Sequence, residues 1–510
     1  MPQNFLRCDH DQELLLPPSL RDWLPADHFA WFLLDSVKTL GLSAFYGAYR
    51  ADGHGRAAYD PAMMVGLVLY AYATNERSAR GIERHCRDDV AYRVVTANVV
   101  PDHATIARFL VRHERPLADL FASVLRLCAR AGLVESKVVA IDGTKMLANA
   151  NRDQNIDYDR IAREILGEAK AVDAAEDELY GERRGDELPE ELSTPEGRRA
   201  WLKRELARQR DEDSVSKASE CRESAHEFDT EQIVARGQGR EGWWREAGHH
   251  LERDRWASAA PIPRGRGERL LEAGQRLEDE LDARRRGNDA YEHYRTTGRM
   301  KNGRRFGAPP NSYRPPESPG GEVNLTDPDS RLMKGFRHYL QGYNAQAAVN
   351  ENGIALAAEI TLETGDFSHL GPMVEATLRE LDNAGVSEKP RVAVADAGFW
   401  NEQHMDQVTG AHGIEVLVAP DSNKRDGPRP GWVGGRYDWM RAVLATELGQ
   451  ELYRKRKQTV EPVFGHTKHN RRFERFHRRG RSAVRTEWRL ILMTHNLTKL
   501  HSHQLATASG

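Results

Sequence analysis

Hydrophobic and polar positions divide the chain into a helical first part and a later part with strands. In the first 135 residues, an apolar block over Pro61–Thr74 precedes an Arg-rich polar stretch over Ser78–Tyr92, and Asp102 is placed to cap a helix over Ile106–Arg115. Short helices joined by tight turns are typical of helix-turn-helix DNA-binding units, and equally of any small helical bundle. The pattern alone leaves both interpretations open.

From Lys137 onward, short apolar runs alternate with helical periodicity. The predicted strands are Val138–Ile141, Gly342–Val349, Ile354–Thr361, Arg391–Ala395 and Ile414–Val418, and the predicted helices are Val374–Leu381, Tyr437–Gln458 and Thr486–Leu500. The first strand is expected to stop at a turn at Asp142-Gly143, and Gln341–Gln346 is interpreted as part of an ordinary central strand. A turn over Asn350–Gly353 predicts a hairpin. Strands alternating with helices after an opening hairpin predict an α/β sheet with mixed pairing.

Residues 151–300 interrupt this pattern. They contain 28 basic and 36 acidic residues and no strand pattern. Arg198–Asp211 and Glu268–Arg286 predict solvated helices with many opposite charges. The Gly-, Pro- and Ser-rich stretch Asn302–Gly321 predicts a linker. The sheet therefore appears in the sequence as a split segment, 136–150 and 331–510, with a charged helical insertion over 151–330 and a helical part over 1–135.

Composition excludes several classes of protein. Charged residues make up 30% of the 510 residues, and the longest apolar run, Met63–Ala73, is far shorter than the ~20 residues of a membrane span. The N-terminal residues lack the layout of a secretory signal. Four scattered cysteines without a CxxC pair argue against a disulfide framework and a cysteine zinc site; they are Cys8, Cys86, Cys128 and Cys221. We expect a soluble protein of a reducing cytoplasm without membrane association.

Three carboxylates stand at the ends of predicted elements. Asp142 ends one buried strand, Asp396 ends another, and Glu461 follows a long helix. Strand ends in an open α/β sheet face the crevice where ligands bind. Each residue also has an ordinary explanation, because Asp before Gly is a common turn residue and a helical Glu is commonly a solvated charge.

The segment around Glu461 is strongly basic. Glu451–Leu490 holds 13 Lys or Arg against four Glu inside a chain of net charge −3. Aromatic residues are interleaved with these cations: Tyr453, Phe464, Phe473, Phe476 and Trp488. The stretch is either a solvated basic face or a surface for a phosphate backbone with unstacked bases. A carboxylate there would repel phosphate unless a divalent cation lay between them.

Two Asp from strands and one Glu from a helix suit two-metal phosphoryl transfer. In that chemistry two hard cations activate the attacking oxygen and stabilise the leaving oxygen. Mg²⁺ prefers a few carboxylates plus substrate phosphate. No HExxH, GxxxxGK[ST] or GxSxG motif suggests a competing chemistry, and the pair His466 and His469 has no evident third ligand. The sequence predicts two Mg²⁺ ions, with Mn²⁺ as a substitute, and no further cofactor.

The residues around these acids carry a resemblance to a known family. The matching motifs are Val139–Lys145, Thr326–Lys334, Gly342–Gln346, Ala395–Phe399 and Val460–Gly465, with Pro61–Met64 in the helical part. The chain resembles bacterial insertion-sequence transposases of the DDE type, which have an RNase H-like core. The eleven-eighty-two group, related to the Tyr-Arg-Glu-Lys signature superfamily, is the most similar. The resemblance covers nearly all of the chain except 151–320.

The resemblance implies the activity and its acidic residues. It makes Asp142, Asp396 and Glu461 the three catalytic and metal-binding acids. It implies that water cuts the phosphodiester at the ends of the element, and that the freed 3′-hydroxyls attack target DNA. It also implies that 1–135 is a DNA-binding or dimerisation domain and that 136–150 with 331–510 forms the RNase H-like catalytic domain.

The signature cations are also implied by the resemblance. Tyr, Arg and Lys of the signature fall on Tyr453, Arg456 and Lys468, which would grip the terminal phosphates of the DNA. Four residues separate Arg456 from Glu461 where the common pattern has three, so Lys457 competes for the Arg role. Pro462 lacks an N–H and disfavours α conformation at Glu461, so we expect a kink there.

The expected protein is thus a Mg²⁺-dependent transposase of its own mobile element. Its expected partners are the terminal inverted repeats, target DNA and a second copy of the chain in a homodimer, and its expected location is the bacterial cytoplasm at the nucleoid. Two alternatives share the same residues: a metal-dependent nuclease without strand transfer, and a catalytically dead DNA-binding remnant.

Overall fold

The structure is a computed structural model, and it describes residues 9–12, 19–50, 57–134, 137–167, 192, 194–217, 239–257, 265–297, 316–335, 338–421 and 434–508. Its contacts divide the chain into two compact units. The first comprises Met1–Asn149 with Leu332–Gly510, and the second comprises Ala150–Arg331. Most of the predicted linker Asn302–Gly321, together with Cys8 and Cys221, lies outside the described residues.

The first part of unit 1 is helical, as predicted. Its helices are α1 (Phe29–Thr39), α2 (Ser43–Tyr46), α3 (Pro61–Ala73), α4 (Ala79–Asp88), α5 (Val90–Val95), α6 (His103–Arg112) and α7 (Glu114–Arg130). The apolar block forms α3, which is buried along almost its whole length and begins at a proline capped by Asp60. Asp102 caps α6 by accepting a hydrogen bond from the Thr105 backbone N–H at 2.9 Å.

The strands of the described residues are, in chain order, β1 (Val138–Leu147), β2 (Asn155–Ile156), β3 (Val323–Asn324), β4 (Arg331–Lys334), β5 (Tyr339–Asn350), β6 (Ala355–Thr361), β7 (Val392–Ala395) and β8 (Glu415–Val418). The main sheet has the order β6-β5-β1-β7-β8, and β4 also pairs with β5. β6, β5 and β1 are antiparallel neighbours, whereas β1, β7 and β8 are parallel. This is the mixed α/β sheet that the sequence predicts.

The predicted turn at Asp142-Gly143 is wrong, because β1 runs on to Leu147. Its antiparallel pairing with β5 continues in register from Val139 opposite Asn350 to Leu147 opposite Gly342. The long partner strand supplies hydrogen bonds to β1 beyond the point where pairing with β7 ends. Asp142 therefore projects from a strand and not from a turn.

The helices after the hairpin are α12 (Leu370–Asn383), α13 (Glu402–His412), α14 (Gly435–Ala445), α15 (Glu447–Gly465) and α16 (Arg481–Ala508), numbered after four helices of unit 2. The predicted helix Tyr437–Gln458 is two helices, because the backbone is extended at Thr446. The Thr446 hydroxyl caps the start of α15 by accepting a hydrogen bond from the Gly449 N–H at 3.0 Å. Among the described residues, no helix is both long and apolar enough to span a membrane.

Helix α15 includes Pro462 and continues to Gly465, so Glu461 lies inside a helix and not after one. A π-helical turn over His466–Asn470 follows. Lys468 lies within this π turn, so its direction differs from that of a residue in a continued α-helix.

Unit 2 contains α8 (158–167), α9 (Pro195–Lys217), α10 (Gly239–Ala257) and α11 (Arg266–Thr297). These helices are not only solvated, as the sequence suggested. Leu202 and Leu206 on α9 and Leu270 and Leu277 on α11 belong to one buried apolar cluster, because their spacing puts each pair on one helix face. The short strands β2 and β3 pair antiparallel beside it, so the expected absence of strands is also wrong.

A buried histidine in the last helix predicts sensitivity to acid. His495 is 5% exposed, its Nε2 donates to the Gly353 carbonyl at 2.9 Å, and burial lowers its pKa to about 4. As the pH falls, His495 is therefore protonated in the unfolded chain before it is protonated in the folded chain. The free energy of unfolding consequently decreases as the pH falls from 6.5 towards 4. The loss from this residue approaches about 3 kcal/mol, at about 1.4 kcal/mol per pKa unit. We expect His495→Gln, measured by urea unfolding at pH 7.5 and 4.5, to lose less stability between these pH values than the wild type; an equal loss contradicts the prediction.

Candidate active site

Two of the predicted acids lie side by side where the parallel pairing of β1 with β7 ends. The last residues in register are Ile141 and Ala395, and Asp142 and Asp396 are the next residues along the two strands. Both residues thus follow directly the point where the two parallel strands stop pairing, and the charge of Asp396 acts on Asp142. The fold brings together two residues that are more than 250 positions apart in the chain.

Both carboxyl groups are held at raised pKa values. Burial is the largest cause for Asp142, the charge of Asp396 adds to it, and together they raise the Asp142 pKa to about 7. The pKa of Asp396 is raised by burial and by the charge of a third carboxylate, Asp366. The hydrogen bond from the Gly398 N–H lowers this pKa but does not cancel the rise. Burial and neighbouring carboxylates thus disfavour the ionised form of both aspartates more than the nearby cation favours it.

That cation is Arg456, which lies between the first and third predicted acids. Its Nη1 is 3.0 Å from Asp142 Oδ2, and its Nη2 is 3.2 Å from Glu461 Oε1. The Arg456 side chain is only 9% exposed, while that of Glu461 is 49% exposed. The guanidinium thus bridges two carboxylates from the strand and the helix. Lys457, the competing residue of the signature, is exposed and does not take this place.

The other two signature residues surround the same site in different ways. Tyr453 is half-buried, and its ring centroid lies 6.0 Å from the guanidinium carbon of Arg456. Burial raises the pKa of Tyr453. Lys468, in the π turn, donates from Nζ to the Lys145 carbonyl of β1 at 2.8 Å, and burial lowers its pKa. In this arrangement Lys468 joins the end of α15 to the strand that carries Asp142.

A fourth carboxylate, missed in the sequence, lies in the same place. Asp366 is in the connection between β6 and α12, and its Oδ1 accepts hydrogen bonds from Asn344 Nδ2 at 2.8 Å and Gln346 Nε2 at 2.6 Å. Both amides lie on β5, with Gln346 directly opposite Gly143 of β1. The sequence contained a signal for this site, because two amides at alternate positions of a buried strand require polar partners. From the sequence alone that stretch is only an ordinary central strand, and the structure confirms the strand.

The donor set is of the kind that hard divalent cations take. Carboxylate oxygens predominate, and burial, with a neighbouring carboxylate as a lesser cause, raises the pKa values of Asp142 and Asp396. In the part of the chain that the structure describes, however, no group of three or more acidic, His or Cys side chains is gathered closely enough to hold an ion. Arg456 occupies the space between Asp142 and Glu461 that such an ion would share.

Two segments of the chain match models of known protein families. Residues 18–112 match a transposase domain (DUF772), which covers α1 to α6, and residues 434–501 match a transposase DDE domain, which covers α14, α15 and most of α16. These two segments are thus similar to transposase domains. Together the matches support an insertion-sequence DDE transposase. Such enzymes act on DNA and in general use divalent metal ions. No curated protein and no solved structure matches the chain.

The DDE match contains only part of the candidate site. Glu461 and the three signature residues lie within residues 434–501, whereas Asp142 and Asp396 lie outside both matched segments. The link between the two groups is supplied by the structure, through the two ion pairs of Arg456.

Proposed function

We propose that this transposase cuts the ends of its own insertion sequence and joins the freed 3′-hydroxyls to target DNA. The observation that carries the proposal is the placement of Asp142 and Asp396 directly after the last paired residues of β1 and β7, with Glu461 tied to Asp142 through Arg456. The strand order, with antiparallel β6, β5 and β1 followed by parallel β7 and β8, supports an RNase H-like core.

Asp142, Asp396 and Glu461 would hold two Mg²⁺ ions, or Mn²⁺ in their place. When bound, the ions supply activation of the attacking oxygen and stabilisation of the leaving oxygen. The protein's own part is to hold the carboxylates on rigid elements, two on strands and one on a helix, so that they need little reordering. Burial at the strand ends limits the water around the two aspartates.

The signature residues would position the DNA. We propose that Tyr453 and Lys468 contact the terminal phosphates, since Tyr453 is half-buried near Asp142 and Asp396 and Lys468 is half-buried against the strand that carries Asp142. A phosphate contact by Arg456 requires its guanidinium to leave at least one of the two carboxylates that it now bridges. We therefore assign Arg456 first to charge balance in the cation-free protein and only then to DNA.

The remaining parts would serve binding and pairing of ends. We propose that the helical part over 1–135 binds DNA or forms the dimer, that the catalytic domain comprises 136–150 and 331–510, and that the charged insertion is 151–330. Transposition joins two ends at once, so a homodimer on two terminal repeats is the expected assembly, acting at the nucleoid in the bacterial cytoplasm.

One assay separates this proposal from its alternatives. The full chain is mixed with a labelled element end, a target plasmid and Mg²⁺, and products are resolved on a denaturing gel. Cut and joined products support transposition, whereas cut products alone identify a nuclease without strand transfer. Binding without any cut, in both Mg²⁺ and Mn²⁺, identifies a DNA-binding remnant and overturns the proposal.

Binding to element ends should weaken steeply with salt. Each neutralised phosphate releases counterions and contributes about −0.9 to the slope of log affinity against log salt. The basic stretch Glu451–Leu490 motivates this expectation. We expect Lys468→Met to make the slope shallower by about one contact, measured by fluorescence anisotropy between 50 and 300 mM NaCl. An unchanged slope with a lower melting temperature would mean that Lys468 only holds the Lys145 carbonyl.

A further inference from the structure

Asp366 is held in the candidate site by neutral partners. Asn344 and Gln346 both donate to Oδ1, at 2.8 and 2.6 Å, and neither brings a positive charge. The hydrogen bonds fix the direction of the carboxylate without offsetting its charge. A link needed only to tie a loop to the sheet does not require a carboxylate, and Asp366 is a half-buried carboxylate that stands near other carboxylates.

The second oxygen of Asp366 lies toward Asp396. A Cβ atom placed on Gly398 would be 2.9 Å from Asp396 Oδ1 and 3.6 Å from Asp366 Oδ2. Both carboxylates therefore border the one small space that the missing side chain leaves open. On the other side, a Cβ on Gly143 would be 2.5 Å from Asp366 Oδ1. Glycines next to two of the predicted acids thus give Asp366 room to approach them.

A third observation concerns an unpaired acceptor on one of the amides that hold Asp366. Gln346 is 1% exposed, and its Oε1 has no hydrogen-bond partner among the described residues. The hydrogen bond from Gln346 Nε2 to Asp366 fixes the orientation of the amide, and Oε1 is the acceptor that remains without a donor. Buried acceptors without partners are rare, and a water on a hard cation supplies the missing donor.

We propose that Asp366 is a fourth carboxylate ligand of the cation site, facing Asp396 across the space in front of Gly398. The inference rests on the proposed function, because it adds a ligand to the same site. It also assigns a purpose to the two amides of β5: Asn344 and Gln346 are positioning residues that keep Oδ2 of Asp366 available to the ion.

The test measures Mn²⁺ binding to the full chain without DNA, by the electron paramagnetic resonance signal of free Mn²⁺. Asp366→Asn keeps the size of the side chain and an oxygen that can accept from the β5 amides. We expect it to weaken Mn²⁺ binding by at least about tenfold, as loss of residues that support a metal site commonly does. Asp382→Asn is the matched control, because Asp382 is an exposed acid at the far end of the following helix.

A second variant tests the space and not the charge. Gly398→Ala keeps all four acids and places a methyl group beside Asp396 Oδ1, so it should also weaken Mn²⁺ binding. Circular dichroism of each variant shows whether the fold is retained; where Asp366→Asn does not fold, Gly398→Ala decides.

The outcomes separate this inference from the proposed function. The role of Asp366 is overturned if Asp366→Asn binds Mn²⁺ with wild-type affinity while Asp142→Asn loses binding. Where Asp366→Asn does not fold, wild-type affinity in Gly398→Ala has the same meaning. The three-acid site remains in either case. A lower melting temperature without change in affinity makes Asp366 a structural link only. A wild-type chain that binds no Mn²⁺ overturns both proposals.

Discussion

Asp142→Asn is expected to lower DNA cleavage by on the order of 10³-fold while leaving binding to the element end within about twofold. A metal ion supplies several kcal/mol of transition-state stabilisation, and each 1.4 kcal/mol is a factor of ten in rate. The amide keeps the volume of the side chain and removes the charge that would hold a hard cation. The measurement is single-turnover cleavage of a labelled end in Mg²⁺, with affinity measured separately in Ca²⁺ or EDTA.

The same result is expected for Asp396→Asn and Glu461→Gln, and it should be absent in Asp382→Asn. DNA affinity should persist in the active-site variants, because the proposed phosphate contacts are cations on other side chains. If one acidic variant cut at close to the wild-type rate, that residue would not be a ligand. Asp366 would be the first replacement to test, since it borders the same space, whereas Asp329 is paired with Arg276 in unit 2.

Much of the sheet could be predicted because its strands are short apolar runs bounded by turn residues. Most ends of four strands lie within a residue or two of their predicted positions; these are the hairpin strands β5 and β6 and the parallel strands β7 and β8. Placing Asp142 and Asp396 together required only that parallel strands end at one edge of a sheet. Period and burial carry this information locally, so one sequence is enough.

The errors come from partners that local sequence does not show. The Asp142-Gly143 pair has the composition of a turn, but β5 continues alongside and keeps the strand extended. The predicted helix stops at Gln458, yet α15 runs on to Gly465, where Val460 and Val463 are buried in the core.

The contacts that define the charge balance of the site could not be predicted. Arg456 and Asp142 are 314 residues apart, and which carboxylate a signature arginine meets is decided by the packing of α15 against the sheet. Asp366 stands in an irregular connection, where neither a helical nor a strand period specifies a direction. Only the folded chain shows that its neighbours are Asn344, Gln346 and the two glycines.

Arg456→Met is expected to destabilise the cation-free protein and to make its stability depend more strongly on Mn²⁺. Removing one member of a buried ion pair costs about 3–5 kcal/mol, because the other charge remains buried without a partner. We expect the lower end of this range, since Glu461 is 49% exposed and water can solvate it, while Asp142 is 15% exposed. Methionine keeps the apolar stem of the side chain, so the effect reports the charge.

Lys457→Met is the matched control, because it removes a neighbouring cation of the same helix that is exposed. Unfolding in urea is measured for wild type and both variants, first in EDTA and then with Mn²⁺ added. An ion that binds only the folded chain stabilises it by about 2.7 kcal/mol at 100 times its dissociation constant. In Arg456→Met the ion no longer competes with a guanidinium for Asp142 and Glu461, so its stabilising effect should exceed that in the wild type. If Arg456 were only a phosphate contact, the variant would keep wild-type stability in EDTA and lose affinity for DNA alone. The two roles therefore differ in an experiment that contains no DNA.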